Sequence, residues 1–492
     1  MPARKAKKKR LIEPLDIRSQ ASPLGQFWQP LFELPVTFPR IYFDVAMGNV
    51  IRNPNVNSTV LMRADIYQEM VNDTIHYSKT RKVDLADNWL THNLSDTEPR
   101  LYTIPGYHVS SYVVRRNVPR NPSRDSVTNQ TCALYTDLTD SDRLVVYVAH
   151  LLTPDACPFY LPLARAVALL YHVDHRGATC SVHYMLYENT PPLLARDAND
   201  RLIRVGLHLL NTCVKHSMGS QSGYTKRVSH DQVVDRIEFQ DRYIALKHKY
   251  SASLMANWVE KTDPTKHIFE DLGIAAFLIQ LWGSMYKSPS DFEFVDLGCG
   301  NGLLVHILVS EGYRGRGIDA RKRKSWETYP KNVQECLHEQ LVVPAVLKND
   351  LPEFDAQDPY LHFVEGASEN TFYVGNHSDE LTLWLPLLDR PFIAIPCCSH
   401  NLSGSKHRFV TPGQAQVSEY AALVDKVAQL AEKAGWKVEQ EMLRIPSTRN
   451  AAIIGRKKFG PPADIAKIVA DEGGAKAWVE TTRQLRHTIS GH

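Results

Sequence analysis

The chain has 492 residues, more than one ordinary hydrophobic core accommodates, so two domains are expected. Its 43% hydrophobic and 23% charged residues are typical of a soluble globular protein, and we expect neither a membrane span nor a cleavable secretory signal. A net charge of +3 does not by itself indicate nucleic-acid binding, and eight scattered cysteines without a C-x-x-C pair favour a reducing compartment over a disulfide framework or a zinc ribbon.

The first segment, residues 1–20, is expected to be a basic disordered tail. Its first ten residues, MPARKAKKKR, contain six basic side chains. Such a run is typical of a solvated tail. A nuclear localisation signal and an RNA-contacting arm are the alternatives.

Residues 21–262 are expected to form an α+β region. LVVYVAHLL and SVHYMLYE are short, rich in Val and Tyr, and typical of strands. Proline-rich joints such as Arg116–Arg124 separate the elements, whereas Leu202–Ser217 has apolar residues at helical spacing. We expect this region to contact RNA, because of the basic residues in its last segment.

That last segment, Tyr224–Asp263, interleaves basic and aromatic residues. Phe239, Tyr243, Leu246 and Tyr250 recur at steps of four, three and four, which predicts a buried helix face. Most basic residues then lie on the flanks, where they could contact phosphates. A solvated face paired with nearby aspartates is the alternative. The candidate phosphate contacts are Arg236, Arg242 and Lys247.

From Asp263 onward the pattern predicts alternating helices and strands. Asp263 and Pro264 are typical of a helix start. The expected strands are Phe294–Leu297, Gly315–Asp319, Val342–Leu347, Thr371–Val374, Phe392–Pro396, Lys437–Leu443 and Ala451–Gly455; the expected helices are Leu303–Glu311, Trp326–Glu339, Thr382–Leu388 and Val417–Ala434. This alternation favours an open, doubly wound sheet across 263–460, and 461–492 is expected to be a helical tail broken at Gly473–Gly474.

A glycine-rich turn, Asp296-Leu-Gly-Cys-Gly-Asn-Gly302, follows the first of these strands and opens a helix. A dinucleotide fingerprint would require glycine where Leu303 stands. Asp296 would repel a pyrophosphate but attract an amino group or a sulfonium. Asp319, at the end of the next strand, could accept the hydroxyls of an adenosine ribose. These features favour S-adenosylmethionine over NAD.

Two polar loops follow the fourth and fifth strands of the predicted sheet. YVGNHSDELT contains Asn376, His377 and Asp379, and IPCCSHNLSG contains Cys397, Cys398 and His400. Both loops belong at the carboxyl edge of the sheet, where ligands bind. Asp379 could alternatively cap a helix, and a thiol nucleophile is also conceivable. Because adjacent cysteines are poorly suited to hold one tetrahedral ion, we expect no metal site.

The chain resembles the fungal tRNA (uracil-2'-O-)-methyltransferase family, which methylates the ribose of uridine 44 in serine tRNA. The resemblance is carried by FVDLGCGNGLLVHILVSEGYRGRGIDARKRKSW, VGNHSDELTLWLPLL, IPCCSHNLSG and EMLRIPSTRNAAIIGR, together with the segment from Asp241 to Trp282, and it covers nearly the whole chain. It implies a Rossmann-like, seven-stranded class I methyltransferase domain, C-terminal to the α+β region. It also implies serine tRNA as the partner. We expect a cytoplasmic enzyme without an obligate protein partner or membrane association.

The resulting site hypothesis assigns three roles. The expected donor-binding residues are Asp296, Gly298, Gly300, Asn301, Gly302, Asp319 and Asn376. The expected catalytic residues are Asp379 and His377, either of which could accept the hydroxyl proton. Arg321, Arg323 and Lys324, just past Asp319, are expected to line the RNA entrance together with the three basic residues of the 224–263 segment. A base or protein methyltransferase of the same fold, and a non-catalytic tRNA-binding subunit with a vestigial donor pocket, remain the alternatives.

Overall fold

The computed structural model describes residues 13–77, 96–122, 124–223, 230–352, 358–364, 370–409, 418–459 and 463–490. Residues 1–12, which include the basic run of the expected tail, lie outside these ranges. Val417, the first residue of an expected helix, also lies outside them. The chain divides into two compact units, Met1–Thr225 and Lys226–His492. All eight cysteines are free.

The first unit is a mixture of long strands and two α-helices among its described residues. In chain order its elements are β1 Leu15–Asp16, β2 Gln29–Val36, α1 Arg40–Arg52, β3 Leu61–Val71, β4 Thr74–Tyr77, β5 Tyr107–Pro119, β6 Thr128–Asp137, β7 Arg143–Ala149, β8 Ala166–Asp174, β9 Gly177–Met185 and α2 Arg201–Gln221. The strand order in the described sheet is β1-β2-β9-β8-β7-β6-β5-β3-β4. Every neighbouring pair is antiparallel.

Both faces of this sheet are buried, and β7 shows why. Its alternate side chains point to opposite faces, so Val145 packs against α1 and α2 residues such as Phe43 and Leu202. Val146 packs on the other face, against a cluster that includes Trp28. Strand β7 therefore reads as a continuous apolar run, as the sequence predicted for a strand.

Two sequence expectations for this unit are corrected. Residues Leu15 and Asp16 of the expected disordered tail pair with Phe32 and Glu33 of β2. The expected proline-rich joint Arg116–Arg124 begins inside β5, because Pro119 is the last strand residue, a position where a missing N–H is tolerated.

The second unit alternates helices and strands. Its elements are α3 Arg236–Ala256, α4 Pro264–Gly283, β10 Glu293–Leu297, α5 Leu303–Ser310, β11 Gly315–Asp319, α6 Lys331–Gln334, β12 Leu337–Glu339, β13 Leu341–Pro344, β14 Leu361–Val364, β15 Thr371–Asn376, β16 Phe392–Ile395, α7 Glu419–Lys433, β17 Trp436–Met442, β18 Ala451–Lys458, α8 Ile465–Asp471 and α9 Lys476–Ser490.

The main sheet of this unit has seven strands in the described part of the chain, ordered β12-β11-β10-β15-β16-β18-β17. The five strands from β12 to β16 run parallel, and β18 lies antiparallel to both β16 and β17. Chain connections run outward to opposite sides of β10, so a crevice opens beyond the carboxyl ends of β10 and β15. That crevice is where the predicted site residues converge.

Helices cover both faces of the sheet. On one face α3, α4 and α5 form a core with residues such as Leu246, Leu278 and Leu304. On the other, α7 contributes Val427 and the C-terminal helices contribute Val469 and Val479. The helix expected at Asp263 is present as α4. The Asp263 carboxylate accepts a hydrogen bond from the Thr265 N–H at the start of this helix.

Helix α3 belongs to the second unit. The division between the units falls before α3, whereas the sequence placed the boundary at 262/263. The reason is packing: Phe239, Leu246 and Tyr250 of α3 enter the same core as α4 and α5.

The third strand of the sheet differs from the expected one. The helix expected over Trp326–Glu339 is interrupted at Pro330, which lacks an N–H and holds Tyr329 in an extended conformation. The chain instead forms α6 and then β12 at the sheet edge. The expected strand Val342–Leu347 is replaced by β13, which pairs with β14 in a separate small sheet. The expected helix Thr382–Leu388 is reduced to short 3₁₀ turns.

The C-terminal segment packs as part of the second unit. Helices α8 and α9 are separated at Gly473 and Gly474, which have φ values of 93° and 75°, as the sequence predicted. The ring centroids of Trp478 and Trp384 lie 6.0 Å apart, which fixes α9 to the sheet layer. Within the described ranges, none of the helices combines the length and apolar character needed to cross a bilayer.

Candidate active site

The glycine turn lies directly after β10 at the carboxyl edge of the sheet. Gly298, Gly300 and Gly302 have φ values of 77°, 54° and 71°, a region that side chains other than glycine rarely adopt. A Cβ on Gly302 would lie 2.9 Å from Leu337 Cδ1, whereas one on Gly300 would meet nothing within 4 Å. The turn is therefore tightly packed behind Gly302 and open at Gly300.

The segment after β11 locks this turn in place. Trp326 Nε1 donates to the Gly300 carbonyl at 2.9 Å. Ser325 Oγ and Tyr329 Oη both donate to the Asn301 carbonyl, at 2.8 and 3.0 Å. The Asn301 side chain in turn accepts from the Leu303 N–H and caps α5. Asn301 is thus fixed from both sides.

Asp319 ends β11, as expected for a ribose-binding acid. Its carboxylate accepts the N–H of Gly300 at 2.9 Å and that of Arg321 at 3.0 Å. Burial raises the pKa of Asp319, although these two backbone bonds act in the opposite direction. Asp319 therefore also stabilises the glycine turn, and it stays partly exposed at the end of β11.

Asp296 lies deeper than the sequence suggested. It is 1% exposed, and its Oδ1 has no hydrogen-bond partner among the described residues. Burial, followed by repulsion from Asp271 and Asp319, raises its pKa well above the usual value. Asp296 is not among the residues that line the cavity described next.

A cavity of about 500 Å³ opens at this edge of the sheet. Its volume lies within the roughly 300–1,000 Å³ range of small-molecule sites. Four of the predicted donor-binding residues and one predicted catalytic residue line it. The lining residues are Glu260, Thr262, Lys266, His267, Glu270, Asp271, Gly298, Cys299, Gly300, Asn301, Leu304, Arg323, Asn376, His377, Cys397, Ser447 and Arg449.

Two acidic residues of α4, Glu270 and Asp271, were missed by the sequence analysis. His377 Nε2 lies 3.0 Å from Glu270 Oε1, and Asn376 Nδ2 donates to Asp271 Oδ1 at 2.9 Å. Both acids are buried in a helix whose other core residues are apolar. A pair of adjacent carboxylates next to an apolar helix stripe is the signal that could have found them.

The two acids have different ionisation behaviour. Burial raises the pKa of Asp271 to about 7, opposed by the Asn376 hydrogen bond. Burial acts most strongly, to raise the pKa of Glu270, but the hydrogen bond to His377 and the charges of His377, Lys266 and His267 together lower it. Near neutral pH, Glu270 is therefore ionised and Asp271 is poised to gain or lose a proton.

The loop after β15 is conformationally strained. His377 and Asp379 have φ values of 53° and 43°, in the left-handed region that costs a non-glycine residue roughly 1–2 kcal/mol. In this conformation the side chains of His377 and Asp379 contact different partners. His377 faces α4 and the cavity, while Asp379 accepts a hydrogen bond from Cys397 Sγ at 2.9 Å.

The structure thus separates the two predicted catalytic residues. His377 lines the cavity and Asp379 does not. Burial, followed by the hydrogen bond to Asp379, raises the pKa of the Cys397 thiol. A thiol held protonated in this way is a poor nucleophile, which disfavours the thiol-nucleophile alternative.

The basic residues past Asp319 remain available at the cavity mouth. Arg321, Arg323 and Lys324 are all exposed, and Arg323 lines the cavity. Their neighbour Lys322 is paired with Glu327 at 3.0 Å. Arg321, Arg323 and Lys324 therefore present positive charge to solvent beside the cavity.

The basic residues of α3 are less exposed than expected. Arg236, Arg242 and Lys247 are only partly exposed, and Lys247 Nζ lies 5.1 Å from the ring centroid of Phe269 in α4. Helix α3 packs on α4, which accounts for the partial burial of these side chains.

Comparison with known proteins now gives the family. Residues 6–227 match the family described as "TRM44-like, N-terminal bet v1-like domain", and residues 233–344 match "Predicted AdoMet-dependent methyltransferase". A protein of Yarrowia lipolytica named tRNA (uracil-O(2)-)-methyltransferase is 45% identical over 96% of this chain and 98% of its own length. The chain belongs to the tRNA (uracil-O(2)-)-methyltransferase family.

Other members of the tRNA (uracil-O(2)-)-methyltransferase family match over similar lengths. The Kluyveromyces lactis protein is 44% identical over 95% of this chain and 96% of its own length. The Saccharomyces cerevisiae protein is 39% identical over 95% of this chain and 94% of its own length. This chain is accordingly an enzyme of the methyltransferase class, built from a bet v1-like N-terminal domain and a methyltransferase domain.

Proposed function

We propose that the enzyme transfers a methyl group from S-adenosylmethionine to the ribose 2'-hydroxyl of uridine 44 in serine tRNA, in the cytoplasm. The observation that carries the proposal is the cavity in which the glycine turn, the Glu270–His377 pair and Arg323 meet. The choice of uridine 44 and serine tRNA comes from the resemblance to the fungal family. We further classify the seven-stranded sheet as the Rossmann-like fold of class I methyltransferases.

The residues of the cavity fit a donor with a cationic end. Gly300 leaves open space where a side chain would otherwise project, and Asn376 has a buried Oδ1 without a partner among the described residues. Asp271, beside Asn376, can ionise near neutral pH and attract a positive group. When bound, S-adenosylmethionine supplies a methyl group already activated by its sulfonium.

The donor-binding assignment covers the turn and the two strand ends. We assign Gly298, Gly300, Asn301 and Gly302 to the donor because the turn is rigid and its open side faces the cavity. Asp319 is assigned to the ribose hydroxyls through the lone pairs that its two backbone bonds leave unused. Asp296 is assigned an indirect role, since it is buried and does not line the cavity.

His377 is the better of the two candidates for accepting the hydroxyl proton. It lines the cavity, and the Glu270 carboxylate fixes its ring and stabilises the ring once it is protonated. Asp379 is the second candidate, but it does not line the cavity and its carboxylate accepts a hydrogen bond from Cys397. Catalysis relies mainly on alignment of the oxygen with the methyl group, and proton transfer adds roughly 10²–10⁴-fold.

The tRNA is held by its phosphates and shape, which is how folded RNA is usually recognised. Arg321, Arg323 and Lys324 are assigned to the RNA entrance, because they are exposed beside the cavity. Arg236, Arg242 and Lys247 are assigned a weaker contribution, because α3 packs on α4. We assign further tRNA contacts to the N-terminal unit.

The decisive experiment incubates purified enzyme with bulk tRNA and labelled S-adenosylmethionine, followed by nucleoside analysis. We expect 2'-O-methyluridine, a linkage that resists alkali and stalls primer extension at low nucleotide concentration. A methylated base released with unmodified ribose would favour the base-methyltransferase alternative and reject the proposal. An Asp379→Ala variant with unchanged turnover would remove Asp379 from the mechanism, whereas His377→Gln should reduce turnover while donor binding persists.

A further inference from the structure

We propose that Asp379, Cys397 and Cys398 bind a thiophilic divalent cation, with Zn²⁺ as the ion that their donor atoms fit. This site adjoins the methyl-transfer cavity, which Cys397 also lines. The sequence argued against a metal because adjacent cysteines are poorly suited to hold one tetrahedral ion. The structure supplies what the sequence lacked, a third ligand from a different loop.

The three side chains are already close enough to share an ion. One ligand atom of each lies within 4.8 Å of the others. Cys397 Sγ is 2.9 Å from Asp379 Oδ1. A tetrahedral zinc with Zn–S bonds of about 2.3 Å separates its sulfurs by roughly 3.8 Å. Only small side-chain adjustments would therefore convert the cluster into a coordination shell.

The local backbone explains how neighbouring cysteines can face the same point. Along a strand, successive side chains point to opposite sides. Strand β16 ends at Ile395, however, and the chain bends at Cys398, which brings both thiols to one side. Asp379 reaches them from the loop after β15 through its strained φ of 43°. The strain is the cost of aiming this carboxylate at the cysteines.

The charges around the cluster also suit a divalent cation. Metal binding displaces the two thiol protons to solvent, so that two thiolates and a carboxylate carry three negative charges, which a divalent ion reduces to one. Arg449 Nη1 lies 3.8 Å from Cys398 Sγ and can balance the remaining charge. Charge balance matters here because an unpaired buried charge is costly.

A fourth ligand position is available. A second cavity, of about 360 Å³, lies beside the cysteines, and both of them line it. His400 also lines this cavity; it is 7% exposed, and its Nδ1 has no partner among the described residues. Water from this cavity can therefore complete the tetrahedron, as in zinc sites that have three protein ligands.

The test uses the full chain purified under reducing conditions without added chelator. We expect about one zinc per chain by plasma mass spectrometry. After metal removal, Co²⁺ should bind and produce the near-ultraviolet charge-transfer band of cobalt–thiolate bonds. Cys398→Ser should abolish the band, and Asp379→Asn should weaken Co²⁺ binding by roughly tenfold or more.

Cys336→Ser is the matched control, because Cys336 is a partly exposed cysteine of the same unit outside the cluster. It should leave both zinc content and the cobalt band unchanged. Circular dichroism identifies any variant that fails to fold, and the titration of the unmodified chain does not depend on the variants. The proposal is overturned if the folded unmodified chain shows no zinc and no cobalt–thiolate band. It is equally overturned if Cys336→Ser abolishes the band while Cys398→Ser retains it.

Discussion

His377 Nε2 lies 3.0 Å from Glu270 Oε1, although the two residues are 107 positions apart in the chain. The imidazole stands at the end of β15 and the carboxylate on α4, so the contact exists only because α4 packs on the sheet. A carboxylate in this position fixes the ring and offsets the positive charge that forms when the ring takes up a proton. The pair therefore holds the imidazole at the cavity in a defined orientation.

Replacing Glu270 should slow turnover without weakening donor binding. We expect Glu270→Gln to lower kcat by roughly tenfold to a hundredfold, because the ring loses its ionic partner but keeps a hydrogen-bonding neighbour. Donor affinity by calorimetry should stay within about twofold of the unmodified enzyme. The control is Glu335→Gln, which changes an exposed carboxylate at the end of α6.

A double variant distinguishes coupling from a general structural defect. If Glu270 acts through His377, adding Glu270→Gln to His377→Gln should cost little further activity. Fully additive losses would show that Glu270 works independently of the imidazole and would refute the pairing.

Asp271 should make donor affinity depend on pH. Its pKa is raised to about 7, so the carboxylate gains its charge as pH rises through that value. Because the ionised form attracts a cationic donor, affinity should increase from pH 5.5 to 7.5, and Asp271→Asn should remove the increase. If calorimetry shows the same change of donor affinity with pH in the unmodified enzyme and in Asp271→Asn, a role for Asp271 at the donor is contradicted.

Asp271 should also make folding stability depend on pH, and stability should fall over the pH range in which donor affinity rises. An unfolded chain releases the Asp271 proton near pH 4, whereas the folded chain keeps it until about pH 7. The free energy of unfolding should therefore fall as pH rises between these values, by at most about 4 kcal/mol. Asp271→Asn should melt at a higher temperature than the unmodified enzyme at pH 8. Asp425→Asn, an exposed change on α7, should not.

Gly302 should tolerate substitution less well than Gly312. Both have positive φ values, of 71° and 88°, so alanine strains either position by about 1 kcal/mol. Only at Gly302 does the new Cβ also collide with Leu337, at 2.9 Å, while at Gly312 nothing lies within 4 Å. We expect Gly302→Ala to lower the melting temperature further and to weaken donor binding at least tenfold. Equal effects of the two variants would contradict this packing argument.

Arg323 should contribute to tRNA affinity through charge. Arg323→Gln removes an exposed positive charge at the cavity, so tRNA binding should weaken and its salt dependence should fall by about one unit of slope. Lys437→Gln is the control, because Lys437 stands at the start of β17, near the opposite edge of the sheet. Filter binding across several salt concentrations measures both effects. Loss of affinity in Lys437→Gln alone would place the RNA elsewhere.

The sequence by itself determined the local features of the methyltransferase unit. The glycine turn could be predicted because positive φ values restrict it to glycine, and the start of α4 because Asp263 and Pro264 satisfy the needs of a helix terminus. Six of the seven expected strands correspond to strands of the described sheet, since buried parallel strands are short apolar runs. The third strand was misplaced because β12 is only three residues long.

Tertiary structure alone decided which side chains meet. Glu270 and Asp271 look like ordinary polar breaks in an apolar helix until α4 packs against the end of β15. Asp379 and Cys397 lie in different loops, and only the folded backbone brings the carboxylate to the thiol. Local sequence specifies turns and helix ends through short-range backbone and hydrogen-bonding preferences. The distance between residues far apart in the chain is instead set by how whole elements bury their apolar faces together.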